Sequence, residues 1–496
     1  MWFFNFGAAK YLQEKFDADF YAIIDVDDKP KKFFESQNLV KYKKIWFFLD
    51  CLKNLPIEPD INYLKQFEEK YEINLWEIAF FEREFYQYNP YYKFNYKQIL
   101  SILQRECEFF EKILDEIKPD FLSIYISISH YHELLRLMCK KRGIKILMLG
   151  PAKVGRRMMV SEKGLIMDES TEDNQELKIK INSDKELGDY FTNYSTYKRT
   201  TDYTQKNFEN NFWSRYKPIL KFFFSGRSQS YDIRYFYFGH TRLRILKEKI
   251  KNYYNKRARN QFIDTHFLKS IDSKSPFIYF PLHQEPERNL LIDSPFFCNQ
   301  IEIIKNLSKS IPIQYSIYVK EHITQKVFGW RKISYYKQLL NLPNVVLVHP
   351  NVKPQDILQK CSLVVTVGGT PGLEALFYKK PVITFSETFY SSVPSVFIVQ
   401  KMDELFNTIL KALNTNIDLH DLSKFVNKVE ENTFPFDVVN ISSEFAYRFG
   451  FKGPVMDSMV PTKEVESFLS DHKPEFEKIA QEHIKKINLH KEGKIR

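Results

Sequence analysis

Glycine is scarce in this chain, at 15 of 496 residues, and hydrophobic residues (44%) and charged residues (27%) take its place. That balance excludes a disordered or low-complexity protein and indicates globular composition. Cysteine is scarcer still. Cys51, Cys107, Cys139, Cys298 and Cys361 are scattered, with no CxxC pair. A disulfide frame and a zinc site are therefore excluded, and reduced thiols of a cytoplasmic protein are expected. Long apolar runs are missing, all falling well short of the roughly 20 residues that span a bilayer. The opening MWFFNFGAAKYLQEKFDADF has neither a basic start nor a small-residue cleavage site, so no signal peptide is expected. The chain contains no GxSxG, GxGxxG or Walker A motif, and His130-Tyr131-His132-Glu133 lacks HExxH spacing.

What is present points to two globular domains with additions, given the length. Lys and Arg exceed Asp and Glu by 73 to 62, a net +11, which favours an anionic partner. Almost all of that excess is local. Thr196–Ser270 holds 17 basic and 5 acidic residues, so the rest of the chain is near neutral. This segment reads as mostly helical, with Trp213, Phe222, Phe223 and Phe224 interleaved among its cations. Either it is a solvated insertion, or it docks on a phosphate-rich surface such as an anionic membrane.

On either side of it, strand and helix signals alternate, the pattern of a parallel doubly wound sheet. In the first part Met1–Phe6 reads as a buried strand, Asp19–Asp25 and Phe121–Ile128 as strands, and Ile144–Leu149 as another. Asp25-Val26-Asp27 forms a DxD triplet, read as a strand-end turn and not a metal pair. In the second part, strands are expected at Phe277–Leu282, Tyr315–Val319, Val345–Val348, Leu363–Val367 and Val382–Phe385. The expected fold class is α/β, with two Rossmann-like domains facing a cleft, a helical basic insertion and a helical tail. The boundaries are 1–165, 166–272, 273–408 and 409–496.

The chemistry concentrates where strands of the second α/β part end, the edge at which such sheets bind ligands. After Val364–Val367 come Gly368, Gly369 and Thr370, and a helix starts near Pro371. That joint offers free backbone N–H groups and a helix dipole to a phosphate. Glu374, in the first helical turn, can accept hydroxyls of a sugar or ribose, or simply balance the dipole. The loop Pro281–Glu287 supplies His283 and Glu287 as candidate acid or base. Lys320-Glu321-His322 follows the next strand, and Lys320 and His322 suit phosphate oxygens. In the first part Arg156 and Arg157 follow a strand end and are candidates for an acceptor anion.

From Phe277 to Tyr390 the chain resembles capsule polysaccharide biosynthesis proteins, a group that includes Kdo transferases of capsule export systems. The resemblance rests on FPLHQEPE (280–287), YVKEH (318–322), NVVLVHP (344–350) and VTVGGTPGLEALFYKKPVITF (365–385). It implies a GT-B glycosyltransferase with no essential metal and no cofactor besides a nucleotide-sugar donor, CMP-Kdo being one candidate. It places the donor on the second domain and a lipid-linked or growing glycan acceptor on the first. Matched to the motifs, Lys320 and His322 would contact the donor phosphate, Gly369 and Thr370 would cradle it, and Glu374 would hold the ribose. Glu321, Gly368 and Gly372 complete the donor set, and Glu287 and then His283 are the catalytic candidates. Two positions depart from the family pattern: Ile323, where a proline commonly stands, and Pro371, where a small residue is usual. Alternatives within the fold are a glycerol-phosphate-type transferase or a nucleotide-sugar 2-epimerase. Another is a non-catalytic partner in a capsule assembly complex. The expected location is cytoplasmic, at the inner face of the membrane through residues 196–270, and nucleic acid is not an expected partner.

Overall fold

The computed structural model describes residues 2–168, 178–194, 230–271, 275–325, 331–449 and 458–493. In the first part of the chain, short apolar runs form β1 (Tyr21–Ile24), β2 (Lys44–Phe47), β3 (Phe121–Tyr125), β4 (Lys145–Pro151) and β5 (Arg157–Ser161). β1 and β2 pair in parallel as a two-stranded sheet, β3 and β4 pair in parallel, and β5 runs antiparallel to β4. The helix Tyr96–Ile117 backs this unit. Its start is fixed by a capping box, in which Asn95 accepts the Gln98 N–H and Gln98 accepts the Asn95 N–H.

Met1–Phe6 is not a strand. Trp2–Gln13 is one helix that buries Phe3, Phe4, Phe6, Tyr11 and Leu12. An apolar run buried this widely has no period to separate helix from strand. Gly7 lies within the helix because any Cβ there would meet the ring of Phe476. The close approach it permits joins the two ends of the chain. Phe3 stacks on Phe445 at 4.1 Å, and the Tyr11 hydroxyl donates to the Leu469 carbonyl at 2.8 Å.

The second unit contains β6 (Phe277–Pro281), β7 (Ser316–Lys320), β8 (Val345–Val348), β9 (Leu363–Val365), β10 (Val382–Thr384) and β11 (Val396–Ile398). All are parallel, in the order β11-β10-β9-β6-β7-β8. β6 is buried at every position, as a central strand covered on both faces must be. The order is the doubly wound one, with its switch point between β6 and β9. The α/β class with two Rossmann-like units is thus what the structure has.

Beyond Glu404 the chain is mainly helical, and it returns to the first unit. β12 (Phe434–Pro435) adds antiparallel to β5, and the helices Thr462–Asp471 and Lys473–Lys491 cover the N-terminal helix. The described part of the basic segment is a short turn at 230–237 followed by the helix Arg242–His266. Trp213, Phe222, Phe223 and Phe224 lie outside the described residues. Among the described residues no helix is long and apolar enough to cross a membrane. All five cysteines are free thiols.

Candidate functional site

At the switch point, the chain leaves β6 towards β7 and leaves β9 towards β10, so the two following loops part and open a crevice. The loop after β9 is Thr366–Gly369, and Gly369 caps the helix Thr370–Phe377 with Pro371 in its first turn. The turn needs glycine for space. A Cβ on Gly369 would lie 3.0 Å from the His283 ring and 3.2 Å from the Thr366 hydroxyl. At Gly372 a Cβ would strike the Tyr390 hydroxyl, which donates to the Gly369 carbonyl at 2.7 Å. Gly372 therefore makes room for the Tyr390 ring that supports the turn.

A chain of hydrogen bonds ties the two loops together. The Gly369 N–H donates to the Thr366 hydroxyl at 3.3 Å, which lies 3.1 Å from Nε2 of His283. Nδ1 of His283 is 3.2 Å from a Glu287 carboxylate oxygen. Running every donor in one direction satisfies all of them, with Thr366 donating to Nε2 and Nδ1–H donating to Glu287. Burial disfavours the Glu287 charge, yet the His283 bond and the nearby Lys153 hold its carboxyl down at about 2. The side chain is still 40% exposed. Glu287 is thus an ionised group open to the crevice, and a carboxyl held that low is a weak proton acceptor.

Lys320 ends β7 and is buried. Burial pushes its ammonium down to about 8, while Glu321 and Glu374 favour the charge. Across from it, burial raises the Glu374 carboxyl to about 7, with Lys320 opposing. Each is thus drawn towards neutrality by desolvation, and neither has a full counter-ion. Glu321, counted in the donor set, is turned inward. Its carboxylate accepts the His322 N–H at 2.6 Å, the Tyr336 hydroxyl at 2.6 Å and the Arg331 guanidinium. Arg331 also meets the His283 carbonyl and, at 3.4 Å, Glu285. It braces both loops from beneath, a role its place ten residues past Glu321 did not signal. Burial lowers His322 to about 4, so it is neutral at pH 7. Its Nδ1 lies 2.7 Å from the Thr324 hydroxyl, which itself donates to Gln284 at 2.8 Å. The ring adds no cation.

The first unit contributes Lys153, from the loop after β4. Burial lowers its ammonium, and Glu287 and Asp293 pull the other way. Arg288 links the units through the Ser127 carbonyl and Asp293. Arg156 and Arg157, expected at the cleft, turn instead to the returning C-terminal chain. Arg157 bonds Thr433 at 2.6 Å and Glu430 at 2.8 Å, and the exposed Arg156 pairs with Asp437 at 3.1 Å. Lys153, three residues before Arg156, is the cation that faces Glu287. The DxD acids are bound by Arg234, Asp25 at 2.7 Å and Asp27 at 3.1 Å. Among the described residues no cluster of His, Cys, Asp and Glu is placed to hold a metal. A cavity of about 530 Å³ lies beside the glycine turn, between Met167, Asp293, Phe296, Ser386 and Thr388. Lys320, His322 and Glu374 do not line it, so the charged groups and this cavity are neighbours. The switch-point loops, not the volume, hold the reactive groups.

Fold and site together define a two-unit α/β protein with a glycine turn and desolvated charged groups at the carboxyl edge of its second sheet. Residues 189–394 match the family model described as capsule polysaccharide biosynthesis protein. The resemblance drawn from the motifs is borne out over that stretch, which contains all three loops. No curated protein matches the chain. Among solved structures it is similar to KpsC, the beta Kdo 2,7 transferase of Thermosulfurimonas dismutans. The identity there is 12%, over 81% of this chain and 98% of that one, with TM-score 0.32. It is similar also to the UDP-GlcNAc 2-epimerase of Methanocaldococcus jannaschii, at 13% identity over 81% and 94%, TM-score 0.25. The UDP-GlcNAc 2-epimerase of Neisseria meningitidis bound to UDP-GlcNAc gives 14% over 83% and 99%, TM-score 0.25.

Proposed function

We propose that the protein is a GT-B glycosyltransferase of capsular or surface polysaccharide assembly, acting from a nucleotide-sugar donor. The acceptor in this reading is a lipid-linked or growing glycan. Kdo, carried as CMP-Kdo, is the first donor to try. The observation that carries the reading is the hydrogen-bonded chain from Gly369 to Glu287 across the switch point, beside Lys320 and Glu374. The leaving phosphate is met by the Lys320 ammonium, the His322 ring and the first-turn N–H groups at Thr370. These are fixed dipoles and one charge in a site shielded from water, where they act strongly on developing negative charge. Glu374 takes the ribose hydroxyls. Glu287, held ionised by His283, lies where positive charge develops at the anomeric carbon, and it stabilises that charge without needing to take a proton. Lys153 faces it from the first unit, on the acceptor side. No metal ion enters these steps.

The test has two parts. Calorimetric titration with CMP, UDP and GDP should find one that binds, and Glu374→Ala should weaken it while the fold stays intact. The matching nucleotide sugar should then release nucleotide only when a glycan acceptor is present. Binding of none of the three, or conversion of a UDP-sugar to its 2-epimer without an acceptor, would overturn the proposal.

A further inference from the structure

The helix Arg242–His266 is a strut between the two units, about 37 Å long at 1.5 Å per residue. Its first turn is tied to the first unit, where Arg244 donates to the Tyr91 carbonyl at 3.1 Å. Its far end is fixed to the second unit: Ile263 and Phe267 are buried, Asp264 pairs with His349 at 2.9 Å, and Leu268 bridges to β8. Only Arg259 and Ile263 of the helix are fully buried, so these two mark the inward face.

The opposite face should be polar. At roughly 100° per residue, Leu243, Leu246, Ile250, Tyr253 and Tyr254 fall in one stripe pointing directly away from Arg259 and Ile263. All five are exposed, from 40% at Leu246 to 79% at Leu243. By the same rotation, Arg242 and Lys249 lie along one side of the stripe, and Arg244, Lys247 and Lys251 along the other. Arg257 stands within it. Between Arg242 and Arg257 the single acid is Glu248, itself bonded to Lys251 at 3.2 Å. Averaged along its length the helix is not amphipathic, because it has two apolar faces. One packs on the second unit at its C-terminal end, and the other looks outward over its first half.

We propose that this outward face docks the protein on an anionic lipid bilayer. An apolar stripe between two rows of cations is what a helix lying in a membrane interface requires: apolar groups enter the headgroup boundary while Lys and Arg stay with lipid phosphates. A second copy of the chain is a poor occupant, since two such faces would bring like charges together. Nucleic acid would use the cations but has no use for exposed Leu243, Leu246 and Ile250. Docking places both units, and the crevice between them, at the membrane surface. It stands apart from the catalytic reading, because lipid binding needs no donor.

The experiment is co-sedimentation of the full chain with vesicles of phosphatidylcholine, with or without one-third phosphatidylglycerol, at low and high salt. Binding should require phosphatidylglycerol and weaken with salt. Leu246→Glu/Ile250→Glu should lower partitioning at least tenfold with an unchanged melting temperature. Lys247→Glu/Lys249→Glu should lower it by a similar factor, each cation near such a surface being worth about fivefold. Equal sedimentation with phosphatidylcholine alone, no sedimentation, or wild-type binding by the Leu246→Glu/Ile250→Glu protein would overturn the proposal. So would vesicle-free self-association that the same variant abolishes, which would assign the stripe to a second copy.

Discussion

His130 and His283 both have oxygen atoms against both ring nitrogens, and both lie at the carboxyl edge of a sheet. His130 sits between Glu82 and Glu106, each at 2.8 Å, with all three side chains sealed in the first unit. Burial works against its charge, yet the two carboxylates raise it to about 10. The Tyr235 hydroxyl donates to Glu82 at 3.2 Å, and Arg234 beside it pairs with both Asp25 and Asp27. His283 bonds one acid and one hydroxyl, and its acid is open to the crevice. Around His130 all the charged side chains are hydrogen-bonded to an opposite charge within the core. Around His283 they are not: Lys320 and Glu374 are desolvated without full partners. A matched, closed cluster holds a fold, and an unmatched one at a sheet edge holds a place for a ligand's charge.

The contrast can be broken most forcefully at His130. His130→Ala leaves two buried carboxylates facing each other and should cost on the order of 3–5 kcal/mol of stability, read by denaturant unfolding. Because the folded-state value of His130 is raised, its contribution is complete below about pH 6.5 and is lost as pH climbs towards 10. The gap between wild type and variant should close over that range, and a constant gap would deny the charge. Next comes Lys320→Met, expected to reduce turnover about 100- to 1000-fold while the melting temperature holds or rises, since it removes a desolvated charge. A large loss of stability with normal turnover would move Lys320 into the structural class beside His130. Glu287→Gln should lower turnover about 10- to 100-fold and leave nucleotide affinity within about twofold. Nucleotide affinity in the wild type should fall as pH rises through about 8, where Lys320 gives up its proton, and Lys320→Arg should flatten that curve in calorimetry. The smallest effect is expected at Arg156→Ala, within about 0.5 kcal/mol in stability and with unchanged transfer. A tenfold loss of transfer there would return this arginine to the acceptor side.

Five strands of the second unit, β6 to β10, were legible in the sequence because each is a short apolar run stopped by a turn residue, and Gly368-Gly369 is a break no strand continues through. The loops that build the site lie directly after those strands, so their convergence followed from topology alone. Three things could not be read. β2, β5 and β11 are three to five residues long and carry no flanking signal. Met1–Phe6 looks like a strand until Phe476, far along the chain, explains Gly7 within a helix. Lys153 and Arg331 act through where their loops land, whereas Arg156 and Arg157 have the same local appearance as a site and are used for packing. Local sequence reports what a residue can do, and only the tertiary path decides which neighbour it meets.

The return of the C-terminal chain to the first unit sets an order on biosynthesis. β5 and the helix Trp2–Gln13 emerge from the ribosome early, but the partners that cover them, β12 and Lys473–Lys491, are translated last. At about 5–20 residues per second the wait is on the order of tens of seconds. Through that interval Phe3, Phe4 and Phe6 lack their final cover, while the strands of the second unit, β6 to β11, follow one another within residues 277–398. A nascent chain of this protein is therefore a natural client for a holdase, and a stalled one would expose its first helix.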